Sequence, residues 1–107
     1  MRTITATELA RWLAEAPAEP PVVLDVREPW EVELASLPGS VHVPMGSIVA
    51  SLDRLDRERS IVCLCHHGAR SLQVAGYLER QGFRDVINLT GGIQAWSEQV
   101  DPAVRMY

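Results

Sequence analysis

Two kinds of apolar pattern alternate along this chain. In Val22-Val23-Leu24-Asp25-Val26 and in Ile61-Val62-Cys63-Leu64 the apolar residues follow one another almost without a break, as they do in strands covered on both faces. Elsewhere they recur at intervals of three and four, which places them on one side of a helix. Thr5 with Glu8 three residues later matches a capping box, and Leu9, Trp12, Leu13 and Ala16 then share a face. The spacing predicts a first helix from about Ala6 to Ala16, entered directly from Met1-Arg2-Thr3-Ile4. Pro17, Pro20 and Pro21 end it and lead into the first buried strand. Asp25 interrupts that strand, where a carboxylate needs hydrogen-bond donors to offset its desolvation. It is read first as a structural acid bound to neighbouring loop backbone, and second as a group with a chemical role.

Pro29 stands where a helix can begin, and Leu37-Pro38-Gly39-Ser40 reads as a turn before the short strand Val41-His42-Val43-Pro44. His42 in that strand is given no role. Ser47 is placed to cap a helix bearing Ile48, Val49, Leu52 and Leu55. The mixed charges of Asp53, Arg54, Asp56, Arg57, Glu58 and Arg59 read as a solvated face at its end. After the second buried strand, a helix from Ser71 stops at Gly82. A strand lies within Phe83 to Leu89, Gly91-Gly92 turn the chain, and a last helix begins at Ile93-Gln94-Ala95-Trp96 and breaks at Asp101-Pro102. The tail from about residue 100 has no assignment. Alternating strands and helices predict an α/β fold, with a small, mostly parallel sheet and helices on both faces. Residues 1–107 read as a single domain.

Composition narrows the picture. The net charge of −4 argues against a nucleic-acid binder, which carries a basic surplus. No apolar run approaches the ~18 residues that span a bilayer. The N-terminal residues lack the apolar core of a secretion signal, so a cytoplasmic protein is expected. No long unexplained apolar stripe remains, so the expected state is a monomer. Cys63 and Cys65 are the only cysteines. In an extended strand their Cα atoms lie ~6.6 Å apart, near the upper limit for a disulfide, so reduced thiols are expected.

Candidate chemistry concentrates in Cys65-His66-His67-Gly68-Ala69-Arg70-Ser71. This stretch joins a buried strand to a helix, which sets the cysteine at the sheet rim facing a helix N-terminus. Free N–H groups and the helix dipole there favour thiolate over thiol. Cys65 is therefore the candidate nucleophile, and Gly68 lets the loop turn its N–H groups inward. Arg70 has two readings, one binding the oxyanion end of a substrate and one tying the loop to Asp25 or Glu28. His66 and His67 either add positive charge at the mouth when protonated or are exposed residues without a defined role. Trp30 either walls a pocket or is a core aromatic. Two rival chemistries are weaker. Cys63, Cys65, His66 and His67 are consecutive or nearly so, whereas structural zinc ligands converge from separate elements. Cysteine phosphatases place five residues between Cys and Arg, where this chain has four.

Asp25-Val26-Arg27-Glu28, the Leu37 to Pro44 stretch, Cys65 to Ser71, Gly82-Phe83 and Asn88-Leu89-Thr90-Gly91-Gly92-Ile93-Gln94-Ala95-Trp96 occur in the order of the rhodanese family. The chain resembles a single-domain rhodanese over essentially its full length. One departure is Ala35-Ser36-Leu37, where many members carry Gly-His before the Pro-Gly turn. The resemblance implies a sulfurtransferase that takes sulfane sulfur from a donor such as thiosulfate, holds it as a persulfide on Cys65, and passes it to cyanide or a thiol, including a protein thiol. It implies an active-site loop from Cys65 to Arg70, with His66, His67, Gly68, Ala69, Arg70 and Ser71 around the substrate, Asp25 and Arg27 in support, and neither metal nor organic cofactor. A second implied reading is a sulfur-relay or partner-binding module with little turnover on free thiosulfate.

Overall fold

The computed structural model of the chain describes residues 1–107. Its elements are β1 (Arg2–Ile4), α1 (Ala6–Ala14), β2 (Val22–Asp25), α2 (Pro29–Leu34), β3 (Val41–His42), α3 (Ile48–Ser51), β4 (Ser60–Leu64), α4 (Ala69–Arg80), β5 (Asp85–Leu89) and α5 (Gly92–Gln99). The five strands form one sheet in the order β1-β5-β4-β2-β3, and every pair is parallel. β4 and β2 thus have neighbours on both sides, which is why their apolar runs are nearly unbroken. Side chains alternate across the sheet. Val62, Leu64, Ile87 and Leu89 pack with Leu9 of α1 and with Ile93 and Trp96 of α5. Ile61, Cys63 and Val86 face the other way, onto Ile48 of α3 and Val74, Ala75 and Leu78 of α4. The α/β expectation holds, with helices on both faces. No helix is long and apolar enough to cross a membrane.

The Thr5 capping box is present, with Glu8 N–H donating to Thr5 Oγ1 at 3.1 Å and Thr5 N–H to Glu8 Oε1 at 2.9 Å. Four local expectations change. Arg2 to Ile4 form an edge strand on β5 before the helix starts. α1 ends at Ala14 and buries only Ala6 and Leu9, because Ala16 takes a left-handed φ of 48° that turns the chain away. Ser47 makes no side-chain cap, since its own backbone is already helical and an N-cap needs an extended one. The helix expected there shrinks to the single turn α3 between two 3-10 turns, and Val49 is left 69% exposed. The tail is ordered by Ser97 Oγ, which donates to the Val104 carbonyl at 2.6 Å while Val104 is buried. It returns Tyr107 to the carboxyl ends of β2 and β4.

Candidate active site

β4 delivers Cys65 to the carboxyl edge of the sheet, where the residue is only 1% exposed. Gly68 has a φ of +115°, open to a residue without Cβ, and this turns its N–H onto Cys65 Sγ at 3.0 Å. The start of the loop is held by α5. Ile93 N–H donates to the Cys65 carbonyl at 2.8 Å, and Gln94 N–H to the His66 carbonyl at 3.2 Å. These are first-turn donors with no partner inside their own helix. The approach requires a glycine at 92, where a Cβ would lie 2.4 Å from both the Cys65 and His66 carbonyl oxygens.

Ser71, at the start of α4, places its hydroxyl 3.3 Å from Cys65 Sγ, 2.5 Å from Asn88 Oδ1 and 3.2 Å from the Gly68 carbonyl. One hydroxyl hydrogen serves one of these acceptors at a time. Asn88 Nδ2 donates to the Gly68 carbonyl at 3.2 Å, so Asn88 on β5 braces both the serine and the glycine that face the sulfur.

Charge around the loop is paired. Arg70 donates to both carboxylate oxygens of Glu31, at 2.5 and 2.8 Å. Tyr107 Oη donates to Glu31 Oε2 at 2.6 Å, and Glu28 N–H to Oε1 at 3.0 Å. The Arg70 hydrogen bonds, helped by those from Tyr107 and Glu28, hold the Glu31 carboxyl down at about 2 against its burial. The tie that Arg70 makes is to Glu31 and not to the side chains of Asp25 or Glu28. Asp25 is fully buried. It accepts from Arg27 N–H at 3.0 Å and from Arg27 Nε and Nη2 at 2.9 and 2.7 Å. Arg27 continues to the Ala35 carbonyl at 2.6 Å and to Tyr107 Oη at 2.9 Å, and is fully buried. His42 Nε2 donates to the Arg27 carbonyl at 2.7 Å. This cluster pins α2, which carries Glu31.

The remaining loop side chains form a stack. The His66 ring lies 4.0 Å from that of Tyr107 at 11° and 3.8 Å from that of His67 at 24°. Burial, with the charge of His67 second, lowers the pKa of His66. His67 Nε2 donates to Gln94 Oε1 at 2.7 Å. Trp30 stands edge-on to Tyr107 at 5.9 Å and is 58% exposed, which rules out a core aromatic. Ala69 is exposed at the start of α4. Cys63 lies two residues before Cys65 in the same apolar cluster, where burial pushes its thiol up to about 12. With Cys63 in the core and the histidines stacked outward, the four residues of the zinc reading do not converge.

The structure gathers Cys65, His66, His67 and Gly68 into one loop, continues it with Arg70 and Ser71 in the first turn of α4, and places the buried Asp25–Arg27 pair beside Glu31, the partner of Arg70. It adds Glu31, Asn88, Gln94 and Tyr107. Asn88 carried a signal, a polar side chain in an apolar strand. Glu31 carried a weaker one, three residues after Glu28 at capping-box spacing. Tyr107 carried none.

The family model described as Rhodanese-like domain matches residues 5–99. The chain is 46% identical over 89 residues to rhodanese-like/PpiC domain-containing protein 12, chloroplastic, of Arabidopsis thaliana, covering 79% of this chain and 30% of that protein. It therefore spans under a third of that relative. It is 37% identical over 91 residues to thiosulfate sulfurtransferase GlpE of Pseudomonas paraeruginosa, covering 85% of this chain and 80% of that one. The crystal structure of a rhodanese-like domain protein from Staphylococcus aureus superimposes with a TM-score of 0.85 at 31% identity, covering 100% of this chain and 99% of that chain.

Proposed function

This chain belongs to the rhodanese-like domain family, and on that premise we propose that it is a sulfurtransferase carrying sulfane sulfur as a persulfide on Cys65. The Cys65 thiolate attacks the outer sulfur of thiosulfate or a similar donor. The donor's S–S bond breaks, sulfite leaves with the bonding pair, and a persulfide anion remains on the protein. Cyanide or a thiol acceptor then attacks the terminal sulfur, and the Cys65 thiolate returns as leaving group. Both half-reactions need negative charge held in one place. The observation that carries this reading is the Gly68 N–H aimed at Cys65 Sγ from 3.0 Å, with the Ser71 hydroxyl at 3.3 Å. Donors fixed in advance stabilise developing charge without reorganising. His66, His67, Ala69 and Arg70 complete the frame, while Asp25 and Arg27 hold α2 against it.

Two displacements through one covalent intermediate predict ping-pong kinetics. Initial rates measured over a grid of thiosulfate and cyanide concentrations are expected to give parallel double-reciprocal lines, and Cys65→Ala is expected to give no turnover. Intersecting lines, or turnover by Cys65→Ala, contradict the proposal.

A further inference from the structure

The permanent cations next to Cys65 are both committed. Arg70 spends its two terminal nitrogens on Glu31, and Arg27 is closed in on Asp25, the Ala35 carbonyl and Tyr107. Each guanidinium charge is thus matched by a carboxylate, so neither is an unpaired cation for the sulfonate end of a dianion. What the loop presents instead is a row of rings, Trp30 edge-on to Tyr107, Tyr107 face to face with His66, and His66 face to face with His67. Tyr107 reaches the loop at both ends. Its ring meets His66 directly, and its hydroxyl meets Arg70 through Glu31. Cys65, the residue before His66, is almost wholly covered. From the half-exposed His66 beside it in the chain, the row of rings runs through Tyr107 to the exposed Trp30.

We propose that Tyr107 is a specificity-determining residue of the donor half-reaction, forming with Trp30 and His66 an aromatic wall that receives the organic leaving group of a sulfane-sulfur donor in preference to bare sulfite. The proposal rests on the persulfide reading of Cys65. For a thiosulfonate, R–SO2–S⁻, the Cys65 thiolate attacks the terminal sulfur and the S–S bond breaks. The sulfinate R–SO2⁻ leaves with the bonding pair, carrying one charge where sulfite carries two. The wall acts on R by ring contact, and with both guanidiniums ion-paired the second charge of sulfite meets no unpaired arginine.

The test is the single-turnover rate of sulfur gain by the full chain from thiosulfate, methanethiosulfonate and benzenethiosulfonate. It is read in the parent protein and in Tyr107→Phe, Tyr107→Ala and Trp30→Ala. Comparing the benzene-to-methane ratio between variants cancels the intrinsic reactivity of the two donors, and a general folding defect slows both alike. An aromatic contact at the open edge of this wall predicts that Tyr107→Ala lowers this ratio about tenfold. Tyr107→Phe, which keeps the ring, is expected to hold it, and Trp30→Ala to lower it in part. Benzenethiosulfonate is expected to outrun thiosulfate in the parent. A ratio in Tyr107→Ala equal to that of the parent, or a ratio lost equally in Tyr107→Phe, overturns the proposal. Failure of the parent to gain sulfur from any of the three donors removes the persulfide reading itself, a result distinct from a flat ratio.

Discussion

Glu31 is where the side chains beside the loop converge, and its titration gives the residue-scale test. Its carboxyl, lowered from an ordinary 4.5 to about 2 by Arg70 first and then Tyr107 and Glu28, binds a proton less readily folded than unfolded. Its contribution to stability is therefore complete above the unfolded value of 4.5 and is lost as pH falls towards 2. The urea midpoint of the parent is expected to exceed that of Glu31→Gln at pH 6, with the gap closing between those two values. A gap that stays constant over this range contradicts the pairing. Cys63 gives a second test. With its thiol pushed up to about 12 by burial, it holds almost no thiolate at pH 8. A Cys65→Ala variant is expected to take up no iodoacetamide when native at that pH and to take up one equivalent in denaturant. Labelling of the native variant contradicts the buried placement. At this scale the sequence was readable where a residue type is costly in its place. Asp25 in a covered strand had to find donors and found Arg27. The partner of Arg70 was not readable, because Glu31, Asp25 and Glu28 lie close together in sequence and only the path of α2 selects among them.

Two glycines set the geometry between elements, and they do so differently. Gly68 has a φ of +115° with its nearest would-be Cβ neighbour at 3.5 Å, so alanine there meets backbone strain alone. Gly92 combines a φ of +61° with carbonyl oxygens of Cys65 and His66 at 2.4 Å from its would-be Cβ. Strain of this kind costs about 1–3 kcal/mol, and the overlap at Gly92 adds to it by forcing α5 off the loop. Chemical denaturation is expected to show Gly92→Ala less stable than Gly68→Ala, with both slowed in sulfur transfer. Equal stabilities would mean that the α5 contact yields freely. The elements that could be read from the sequence are those whose pattern reports burial. β2 and β4 are sandwiched and read as apolar runs, and the Thr5 capping box is satisfied within its own turn. β1 could not be read, because a three-residue edge strand buries only Ile4. α3 misled, because Val49 has the spacing of a buried residue but faces out of a helix only one turn long.

Across the whole molecule, the sheet order puts β4 in the middle with two apolar clusters on its faces, and β1 and β3 at the edges. Amide exchange is expected to be slowest in β4 and in the β2 and β5 bonds that flank it, and fast in β1 and β3. Protection highest at an edge strand would contradict this order. The same architecture explains why the site could be read only in part. The Cys65 to Ser71 loop is contiguous, so its chemistry lies in one stretch of letters. Its wall is closed by Tyr107, which stands 80 positions from Arg27 and 76 from Glu31, and no local pattern announces a contact of that range. The fold brings these parts together around one sulfur atom, and the central claim is that this atom accepts another. The most direct measurement is the intact mass of the reduced protein after exposure to a sulfane-sulfur donor and desalting. The expected result is a gain of one sulfur atom by the parent, none by Cys65→Ala, and loss of the added atom on treatment with cyanide. An unchanged parent mass with every donor, or a cyanide-labile sulfur retained by Cys65→Ala, would contradict it.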